Sequence, residues 1–381
     1  MKENKNILII SPGKVRLTET FIRAHIDNLK GSIHYLYTNG TDYFDTYDVP
    51  ISKIIRFKTP KPTRLTSLLP HFLYVRLMRS FRISYGHEIY FEKYMSENKI
   101  DLVFAEYGTS GSIVTEVCEK LQIPLMVHFH GFDAYKFDTL KQYKNGYIKM
   151  FNYAKTVVVV SNDMKKQVVK LGCPRHKVAL NPYGPNEEYL NIKVDYSSHH
   201  VVAIGRHAYK KAPYLTILAF KKALEKCPKL KLIMIGDGEL MEISERIIRS
   251  LDMEKQVFLA GALDKKAIIP LLNKSFLFVQ HSLVASSGDS EGTPVAILEA
   301  MASGLPIVST RHAGIKDAVV EEETGILVDE GDIDGMGEAI VKIYKNRELA
   351  KQMGLAGRNR ILKEYTLEKH LNNLNKLIDD I

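Results

Sequence analysis

The sequence has few cysteines and no long apolar run. Its 381 residues include three scattered cysteines, Cys118, Cys173 and Cys227, without the spacing of metal ligands. Such a set is typical of a reduced intracellular protein and does not indicate a disulfide framework or a cysteine-bound zinc ion. No stretch approaches the roughly 18 consecutive apolar residues of a transmembrane helix. The N-terminus, MKENKNILII, lacks the apolar core of a signal peptide, so we expect a cytoplasmic protein.

Glycine-rich phosphate loops are also scarce. Gly13, in Ser11-Pro12-Gly13, follows the first predicted strand alone, whereas a dinucleotide-binding fingerprint needs three glycines at set spacing. Gly236-Asp237-Gly238, after a later strand, does not fit that fingerprint either. A dehydrogenase is therefore not favoured, although backbone N–H groups in the Gly13 loop can still approach a phosphate.

The charge of the chain is uneven. Apolar residues make up 45% and charged residues 25%, as in ordinary globular proteins, and the length predicts two to three domains. Residues 1–190 hold 27 Lys and Arg against 18 Asp and Glu, whereas residues 191–381 hold 26 of each, so the first half carries the whole net charge of +9. A basic half indicates nucleic acid, an anionic membrane surface or an anionic substrate, or simply a solvated face. No recognition module for nucleic acid is present, so nucleic acid is not a predicted partner.

Apolar runs and helical patterns alternate along both halves. Continuous apolar runs such as Asp101–Ala105, Pro124–Phe129 and Thr156–Val160 are typical of parallel strands covered on both faces. Further strands are predicted at Asn6–Ile10, Ile33–Tyr37, Ile51–Phe57, Lys177–Asn181, His200–Ile204, Lys231–Ile235, Gln256–Leu259, Phe276–Gln280, Pro306–Ser309 and Gly325–Val328.

This alternation occurs in two series, which predicts two doubly wound, Rossmann-like α/β domains. We place the first domain at residues 1–185 and the second at 199–365, with a polar, turn-rich linker at 186–198. Residues 366–381 have apolar side chains at helical spacing, which predicts a C-terminal helix packed back on the first domain.

The stretch Ser290–Gly314, SEGTPVAILEAMASGLPIVSTRHAG, predicts an acidic loop, a short helix and a strand. Thr293 fits the helix cap and Pro294 its first turn. Glu299 lies inside the helix, eight positions after Glu291, and a carboxylate is costly to bury there without a partner. Free N–H groups at the helix start can seat a phosphate. The stretch predicts a nucleotide site, with Glu299 for ribose hydroxyls and Glu291 for a group further out.

Two other clusters follow predicted strands. Gly205-Arg206 and Lys210-Lys211 come after His200–Ile204, where open α/β sheets bind ligands, so Arg206 and Lys211 can neutralise a diphosphate. Surface charge at a strand end is the alternative.

The second cluster is His128-Phe129-His130-Gly131-Phe132-Asp133. It invites metal or acid–base interpretations, but a zinc site needs three or four ligands, and this local set offers no third partner at metal-ligand spacing. A neutral histidine bonded to a substrate hydroxyl is simpler. Because side chains alternate along a strand, a structural, satisfied histidine fits His128 better than His130.

The segment Arg64–Tyr90 mixes arginines with apolar residues. It can lie on an anionic bilayer with its apolar side inserted, or it can be a core helix whose arginines face water. The sequence does not decide between the two.

These motifs resemble those of the retaining glycosyltransferases of family four, which have the GT-B fold of two Rossmann-like domains facing across a cleft. The most specific is E-x7-E, from Glu291 to Glu299. Arg206 to Lys211 is similar to the family's G-R-x4-K element, with Ala212 where glycine is common.

A second resemblance lies in the first half. His130, Gly131 and Asp133 match the family's HGxD element, and Thr18–Ile22 together with His128–Gly131 resembles exopolysaccharide-type members such as colanic-acid glycosyltransferases. The resemblance covers nearly the whole chain.

The resemblance implies a role for each matching position. The catalytic residues would be His130, Arg206, Lys211 and Glu291; the donor-binding residues Gly13, Gly236, Gly292, Thr293, Pro294, Val295 and Glu299; and an acceptor-binding residue Asp133. It also implies transfer from a UDP- or GDP-sugar to a glycan or lipid-linked acceptor in cell-surface polysaccharide biosynthesis. The anomeric configuration would be retained, without a metal ion or further cofactor, in the cytoplasm or peripherally at the inner face of the membrane.

Other activities remain open at this point. An epimerase or phosphorylase of the same fold and a catalytically silent nucleotide-sugar-binding subunit are the alternatives.

Overall fold

The computed structural model describes residues 4–15, 19–38, 43–44 and 86–381. The predicted strand Ile51–Phe57, Thr18, and residues 64–85 of the Arg64–Tyr90 segment lie outside these residues. The strands are β1 Asn6–Ser11, β2 Ser32–Thr38, β3 Tyr43–Phe44, β4 Leu102–Glu106, β5 Leu125–His128, β6 Thr156–Val159, β7 Val178–Leu180, β8 His200–Ile204, β9 Lys231–Ile235, β10 Val257–Leu259, β11 Ser275–Gln280, β12 Ile307–Thr310 and β13 Gly325–Val328.

Helices alternate with these strands. They are α1 Thr20–Asn28, α2 Gly86–Glu97, α3 Gly108–Leu121, α4 Phe132–Tyr135, α5 Phe137–Tyr153, α6 Asn162–Lys170, α7 Pro213–Lys226, α8 Met241–Ser250, α9 Lys265–Lys274, α10 Val295–Ala302, α11 Ile315–Ala318, α12 Ile333–Lys345, α13 Arg347–Glu364 and α14 Leu367–Asp379. Short 3-10 helices occupy Arg175–Lys177, Glu187–Asn191 and Tyr209–Lys211. In the described part of the chain, no helix is both long and apolar enough to span a bilayer.

The strands form two sheets, one from each half of the chain. The first has the order β3-β2-β1-β4-β5-β6-β7 and the second β10-β9-β8-β11-β12-β13. The short β3 pairs antiparallel with β2, and the other described pairs are parallel. The chain order reverses at β1 and at β8, and ligands of open α/β sheets bind at the carboxyl ends of strands at such points. The predicted GT-B architecture is confirmed.

Burial explains why the strands were predictable. The side chains of Leu102–Ala105 in β4 are all fully buried, as are those of Phe276–Val279 in β11. A strand covered on both faces reads as a continuous apolar run. Each predicted strand within the described residues is present with its ends shifted by one residue or less.

The last helix crosses back to the first sheet. In α14, Leu374 and Ile378 pack in one apolar cluster with Ile7 and Ile9 of β1. Lys5 Nζ donates a hydrogen bond to the Ile378 carbonyl oxygen at 2.7 Å. The chain therefore joins its two domains twice, through the segment before β8 and through α14.

Candidate active site

Lys211 and Glu291 form a buried ion pair at the carboxyl end of the second sheet. Lys211 ends the 3-10 turn that follows β8, and Glu291 lies in the loop before α10. Lys211 Nζ lies 3.3 Å from Glu291 Oε2, and the two side chains are 14% and 9% exposed. Burial lowers the pKa of Lys211, and Glu291 opposes this effect. Burial also acts against ionised Glu291, but Lys211 and Lys210 outweigh it and hold the pKa of that carboxyl below its usual value.

A second lysine, Lys210, completes this cluster and was not predicted as a site residue. Its Nζ lies 3.2 Å from Asp289 Oδ1 and 3.9 Å from Glu291 Oε1. It also donates to the Ser290 carbonyl oxygen at 3.2 Å. Lys210 thus ties the loop that carries Glu291 to the turn after β8. The lysine doublet is visible in the sequence, but its partners Asp289 and Ser290 lie 79 and 80 positions away and carry no local signal.

Arg206 lies beside this pair, in a pocket at the ends of β8, β9 and β11. Gly205, Arg206, Lys211 and Gln280 are among its lining residues. Gln280 Oε1 accepts a hydrogen bond from Lys211 Nζ at 3.4 Å. Arg206 is exposed, so its guanidinium is accessible to an anion from solvent. Two cations at the end of a parallel strand form a fitting seat for a diphosphate.

Gly236 and Gly13, two of the predicted donor-binding glycines, have different surroundings: Gly236 is packed against backbone, and Gly13 has open space beside it. The Gly236 N–H donates to the Gly261 carbonyl oxygen at 2.8 Å, so it is not available to a phosphate. At Gly236, φ is +138° and a Cβ would overlap the Gly205 carbonyl oxygen, so glycine is needed there for close packing. A Cβ at Gly13 would meet no atom of the described residues within 4 Å. The role of Gly13 at a diphosphate stays a prediction.

The helix α10 begins without a side-chain cap from the described residues, contrary to the expectation for Thr293. Pro294 occupies the cap position, and the helix starts at Val295. Thr293 Oγ1 instead donates to the Val160 carbonyl oxygen of the first domain at 3.0 Å. The first N–H groups of an α-helix generally have no i−4 partner, and of those in α10 the Ile297 N–H donates to the Pro294 carbonyl oxygen at 3.0 Å. The role of this helix start as a phosphate seat stays a prediction.

Glu299 lies inside α10 and is 9% exposed. Its carboxylate accepts a hydrogen bond from the hydroxyl of Tyr189, in the 3-10 helix Glu187–Asn191 of the linker. Burial raises the pKa of Glu299 to about 7, and the Tyr189 hydrogen bond opposes that rise. The buried acid therefore has the partner that its burial requires, and its contact with a ribose stays a prediction.

The two domains touch where the motifs meet. A Cβ at Gly131 would lie 3.2 Å from the Ser290 carbonyl oxygen, and a Cβ at Gly292 would overlap the His130 carbonyl oxygen. Glycine at these two positions lets the turn after β5 approach the loop that carries Glu291. The cleft is thus closed at this point, beside the Lys211–Glu291 pair.

The His130 side chain is held on both sides, so it does not offer a free nitrogen to a sugar. Nε2 lies 2.7 Å from Glu106 Oε2, and Nδ1 lies 2.5 Å from the Tyr183 hydroxyl. Among the described residues, neither ring nitrogen of His128 has a hydrogen-bond partner. The expectation that His128 is the satisfied histidine is therefore wrong. Strand alternation could not reveal this, because Glu106 enters from the neighbouring strand β4.

Glu106 and His128 lie close to a third buried side chain, His25 of α1, in a cluster that could be considered as a metal site. Ligand atoms of His25, Glu106 and His128 lie within 4.8 Å of one another. However, His25 Nδ1 lies 2.5 Å from Glu106 Oε1, and His25 Nε2 lies 2.8 Å from His370 Nε2 of α14. Two ligands held at about 2.1 Å by one tetrahedral zinc ion would lie about 3.4 Å apart. We therefore interpret His25, Glu106 and His370 as a hydrogen-bond network that joins α14 to the first sheet, with His128 beside it and outside it.

Asp133 has a structural role rather than the predicted contact with an acceptor. It is fully buried, and its carboxylate accepts N–H groups of Gly108 at 2.8 Å, Gly131 at 2.9 Å and His130 at 3.1 Å. Burial raises the pKa of Asp133 to about 6, while these backbone hydrogen bonds oppose the rise. The aspartate holds the turn after β5 and has no exposed atom for a substrate.

His312, which follows β12, is a second residue that sequence reasoning missed. Its Nε2 lies 3.2 Å from the backbone nitrogen of Glu291, and its Nδ1 lies 2.6 Å from Glu330 Oε1. The sequence offers one signal: a histidine lies three positions after the predicted strand Pro306–Ser309, within the stretch Ser290–Gly314 that was predicted to form a nucleotide site.

Comparison with known proteins identifies the family of this chain. Residues 193–360 match the family model described as glycosyl transferases group 1, and residues 54–189 match the model described as glycosyltransferase family 4. The amylovoran biosynthesis glycosyltransferase AmsK of Erwinia amylovora is 27% identical over 352 residues, which are 89% of this chain and 83% of AmsK. The putative colanic acid biosynthesis glycosyltransferase WcaL of Escherichia coli is 26% identical over 247 residues, which are 64% of this chain and 61% of WcaL.

Solved structures share the fold. The structure of Anabaena Alr3699/HepE in complex with UDP-glucose matches with a TM-score of 0.73 at 16% identity, over 99% of this chain and 100% of that one. The first model covers the Arg206–Lys211 and Glu291–Glu299 motifs and the second covers the HGxD element, whereas Gly13 and Thr18–Ile22 lie outside both. The chain therefore belongs to the family 4, group 1 glycosyltransferases, as its motifs predicted.

Proposed function

We propose that this glycosyltransferase moves a sugar from a UDP- or GDP-sugar to a saccharide acceptor during the biosynthesis of a cell-surface polysaccharide. The names of AmsK and WcaL support the pathway class, and the UDP-glucose bound to HepE supports the donor class. The observation that carries the proposal is the buried Lys211–Glu291 pair, with Arg206 in the adjoining pocket.

The cations are proposed to stabilise the leaving nucleoside diphosphate. Negative charge develops on the diphosphate as its bond to the sugar breaks, and fixed cations in a dry site stabilise it most. Lys211 is held in place by Glu291 and Gln280 before any donor binds. Arg206 approaches from the solvent side of the same pocket.

Glu291 and Glu299 are proposed to bind hydroxyl groups at the two ends of the donor. Because Lys211 and Lys210 keep Glu291 ionised, its carboxylate can accept hydrogen bonds from the donor sugar and is poorly suited to donate a proton. Glu299 lies in α10 beyond the helix start that would seat a phosphate, as ribose binding requires. His130 would line the same space through its backbone, beside Gly292.

The reaction is proposed to retain the anomeric configuration without a metal ion. The acceptor oxygen would form its bond to the sugar carbon on the face that the diphosphate leaves. The departing phosphate oxygen would take the acceptor's proton, so no side chain has to become covalently bound to the sugar. Two cations at the diphosphate seat supply the charge that a metal ion provides in other transferases.

The acceptor is proposed to be a glycan or a lipid-linked saccharide that meets the enzyme at an anionic membrane surface. The excess charge of +9 in residues 1–190 supports this proposal, because a basic surface attracts anionic lipids and phosphorylated acceptors.

A donor panel tests the function. The protein is incubated with UDP- and GDP-sugars in EDTA, with and without a lipid extract that contains acceptors, and release of nucleoside diphosphate is measured. We expect one donor class to be turned over, faster with acceptor, and a product whose anomeric proton shows the donor's configuration by NMR. Binding of a donor without any turnover would favour a silent subunit, and inversion would overturn the proposed mechanism.

A further inference from the structure

The imidazole of His312 connects the loop that carries Glu291 to the end of the neighbouring strand. It is 1% exposed, and Nε2 lies 3.2 Å from the backbone nitrogen of Glu291 and 3.0 Å from Ser290 Oγ. On its other side, Nδ1 lies 2.6 Å from Glu330 Oε1. Glu330 follows β13, and its second carboxylate oxygen accepts the Val284 N–H at 3.0 Å.

These contacts allow one tautomer. A backbone N–H can only donate, so Nε2 of His312 must be the acceptor and carry no proton. The proton then lies on Nδ1, where it is donated to the Glu330 carboxylate. By accepting the Nδ1 proton, Glu330 fixes the tautomer of His312 and leaves Nε2 free to accept the Glu291 N–H.

We propose that His312, oriented by Glu330, is a positioning residue that holds the backbone of Glu291 for the donor sugar. This inference rests on the proposed function, in which the Glu291 carboxylate binds sugar hydroxyls. Two lysines hold the Glu291 carboxylate: Lys211 Nζ lies 3.3 Å from Oε2 and Lys210 Nζ lies 3.9 Å from Oε1. His312 holds the main chain of the same residue, so the carboxylate is fixed at both ends.

The loop needs such a support because no regular ladder holds it. Residues 289–294 belong to no helix or strand. If the Nε2 acceptor is lost, the buried Glu291 N–H is left without a partner, and the loop must shift or admit water to satisfy it. A displacement of about 1 Å at a group that orients substrate is enough to lower turnover by about 100-fold.

A pair of amide variants separates the two ends of the imidazole. In H312Q the amide oxygen reaches the position of Nε2 and can still accept the Glu291 N–H. In H312N the amide reaches the position of Nδ1, so it can bond Glu330 but not Glu291. Glu330 is 37% exposed, so water can replace its partner in H312Q. The control is H199N, because His199 bonds Tyr344 at the opposite end of β8.

Three quantities are measured for each protein: kcat/KM for the donor found in the panel, the dissociation constant of UDP or GDP by calorimetry, and Tm. We expect H312N to lower kcat/KM by about tenfold or more and H312Q by about threefold or less, since losing one buried acceptor costs about one hydrogen bond. Nucleoside diphosphate affinity should stay within about twofold in both, because Glu291 does not touch the nucleotide in this account.

The outcomes separate this inference from the proposed function. If the unmodified protein turns over no donor, the proposed function fails, and the positioning role that rests on it fails with it. If the unmodified protein and H199N are active, equal losses in H312N and H312Q would overturn the positioning role. A parallel loss of diphosphate affinity and Tm in H312N would instead show a general loosening of the second domain, which also overturns it.

Discussion

Lys211 carries the most specific claim at the scale of single residues. Its ammonium group is buried between Glu291 and Gln280, where the proposed diphosphate leaves. K211M keeps most of the side-chain volume and removes the charge. We expect kcat to fall by about 100-fold or more, as when one preorganised stabilising group is removed from an active site. The measurement is steady-state release of nucleoside diphosphate.

The matched control for this variant is K222M. Lys222 is half exposed and pairs with Asp334 away from the cleft, so its loss should leave turnover unchanged. K211R should recover part of the activity because it restores the charge. If K211M unfolds at a temperature far below that of K222M, Lys211 supports the fold and the catalytic assignment fails.

The unusual acid Glu299 predicts a pH dependence. Burial raises its pKa to about 7 from 4.5, so without ligand its favourable contribution to stability is full below about pH 4.5 and is lost as the pH rises through about 7. Ribose hydroxyls donate to the ionised form, so donor binding opposes protonation. We expect nucleoside diphosphate affinity to rise by about threefold to tenfold between pH 6 and pH 8.

E299Q provides the comparison, because it cannot titrate and keeps the shape of the side chain. Ionisation of the nucleotide itself affects both proteins equally, so the difference between their pH slopes reports Glu299. Identical slopes for the two proteins would contradict a ribose-binding role for this residue.

Sequence reasoning could single out candidate residues where the signal was local. The spacing of Glu291 and Glu299 and the Arg206–Lys211 pair are readable in short segments, and the structure places Lys211 on Glu291. It failed where the partner comes from another element. Glu106 gives His130 its hydrogen bond from β4, and Asp133 accepts backbone N–H groups of its own turn and of Gly108, which the local sequence does not reveal.

At the scale of elements, the contact between the start of α10 and β6 is the most testable feature. Thr293 Oγ1 donates to the Val160 carbonyl oxygen across the two domains at 3.0 Å. T293V removes this hydrogen bond at constant shape, and T293S keeps it. We expect T293V to lower kcat/KM by about two- to tenfold, the range of one hydrogen bond, and T293S to stay near the unmodified protein.

Equal activity of T293V and T293S would show that the contact does not matter for transfer. Thermal unfolding of both variants should be recorded in parallel, because a loss of stability alone leaves activity per folded molecule unchanged.

The elements themselves were largely predictable, for a physical reason. Strands covered on both faces must be apolar throughout, so β4, β5 and β11 appear as continuous runs. The cap of α10 was not predictable. A threonine before a proline fits a cap by composition, but here the hydroxyl is drawn to a carbonyl group of the other domain.

At the scale of the whole molecule, the charge asymmetry predicts an interaction with membranes. We expect the protein to co-sediment with phosphatidylglycerol-containing vesicles and not with phosphatidylcholine vesicles, and the binding to weaken as salt rises. Arg76, Arg79 and Arg82 supply part of this charge in the first half. Replacing all three by glutamate should abolish co-sedimentation. Equal binding by the triple variant would refute attachment through the segment Arg64–Tyr90.

The two halves are in contact where three predicted motifs meet: the HGxD turn, the Arg206–Lys211 turn and the loop of Glu291. The three motifs lie in different elements of two domains. The fold class therefore predicts that they converge, but the sequence gives no distances between them. The close contact at Gly131 and Gly292 lies beside the Lys211–Glu291 pair, so both domains border the proposed donor site.

A crystal structure with the donor identified in the panel tests the central claim most directly. The account predicts diphosphate oxygens within hydrogen-bonding distance of Lys211 Nζ and the Arg206 guanidinium, sugar hydroxyls on Glu291 and ribose hydroxyls on Glu299. A diphosphate bound away from the ends of β8 and β11, with Lys211 still paired only to Glu291 and Gln280, would contradict it.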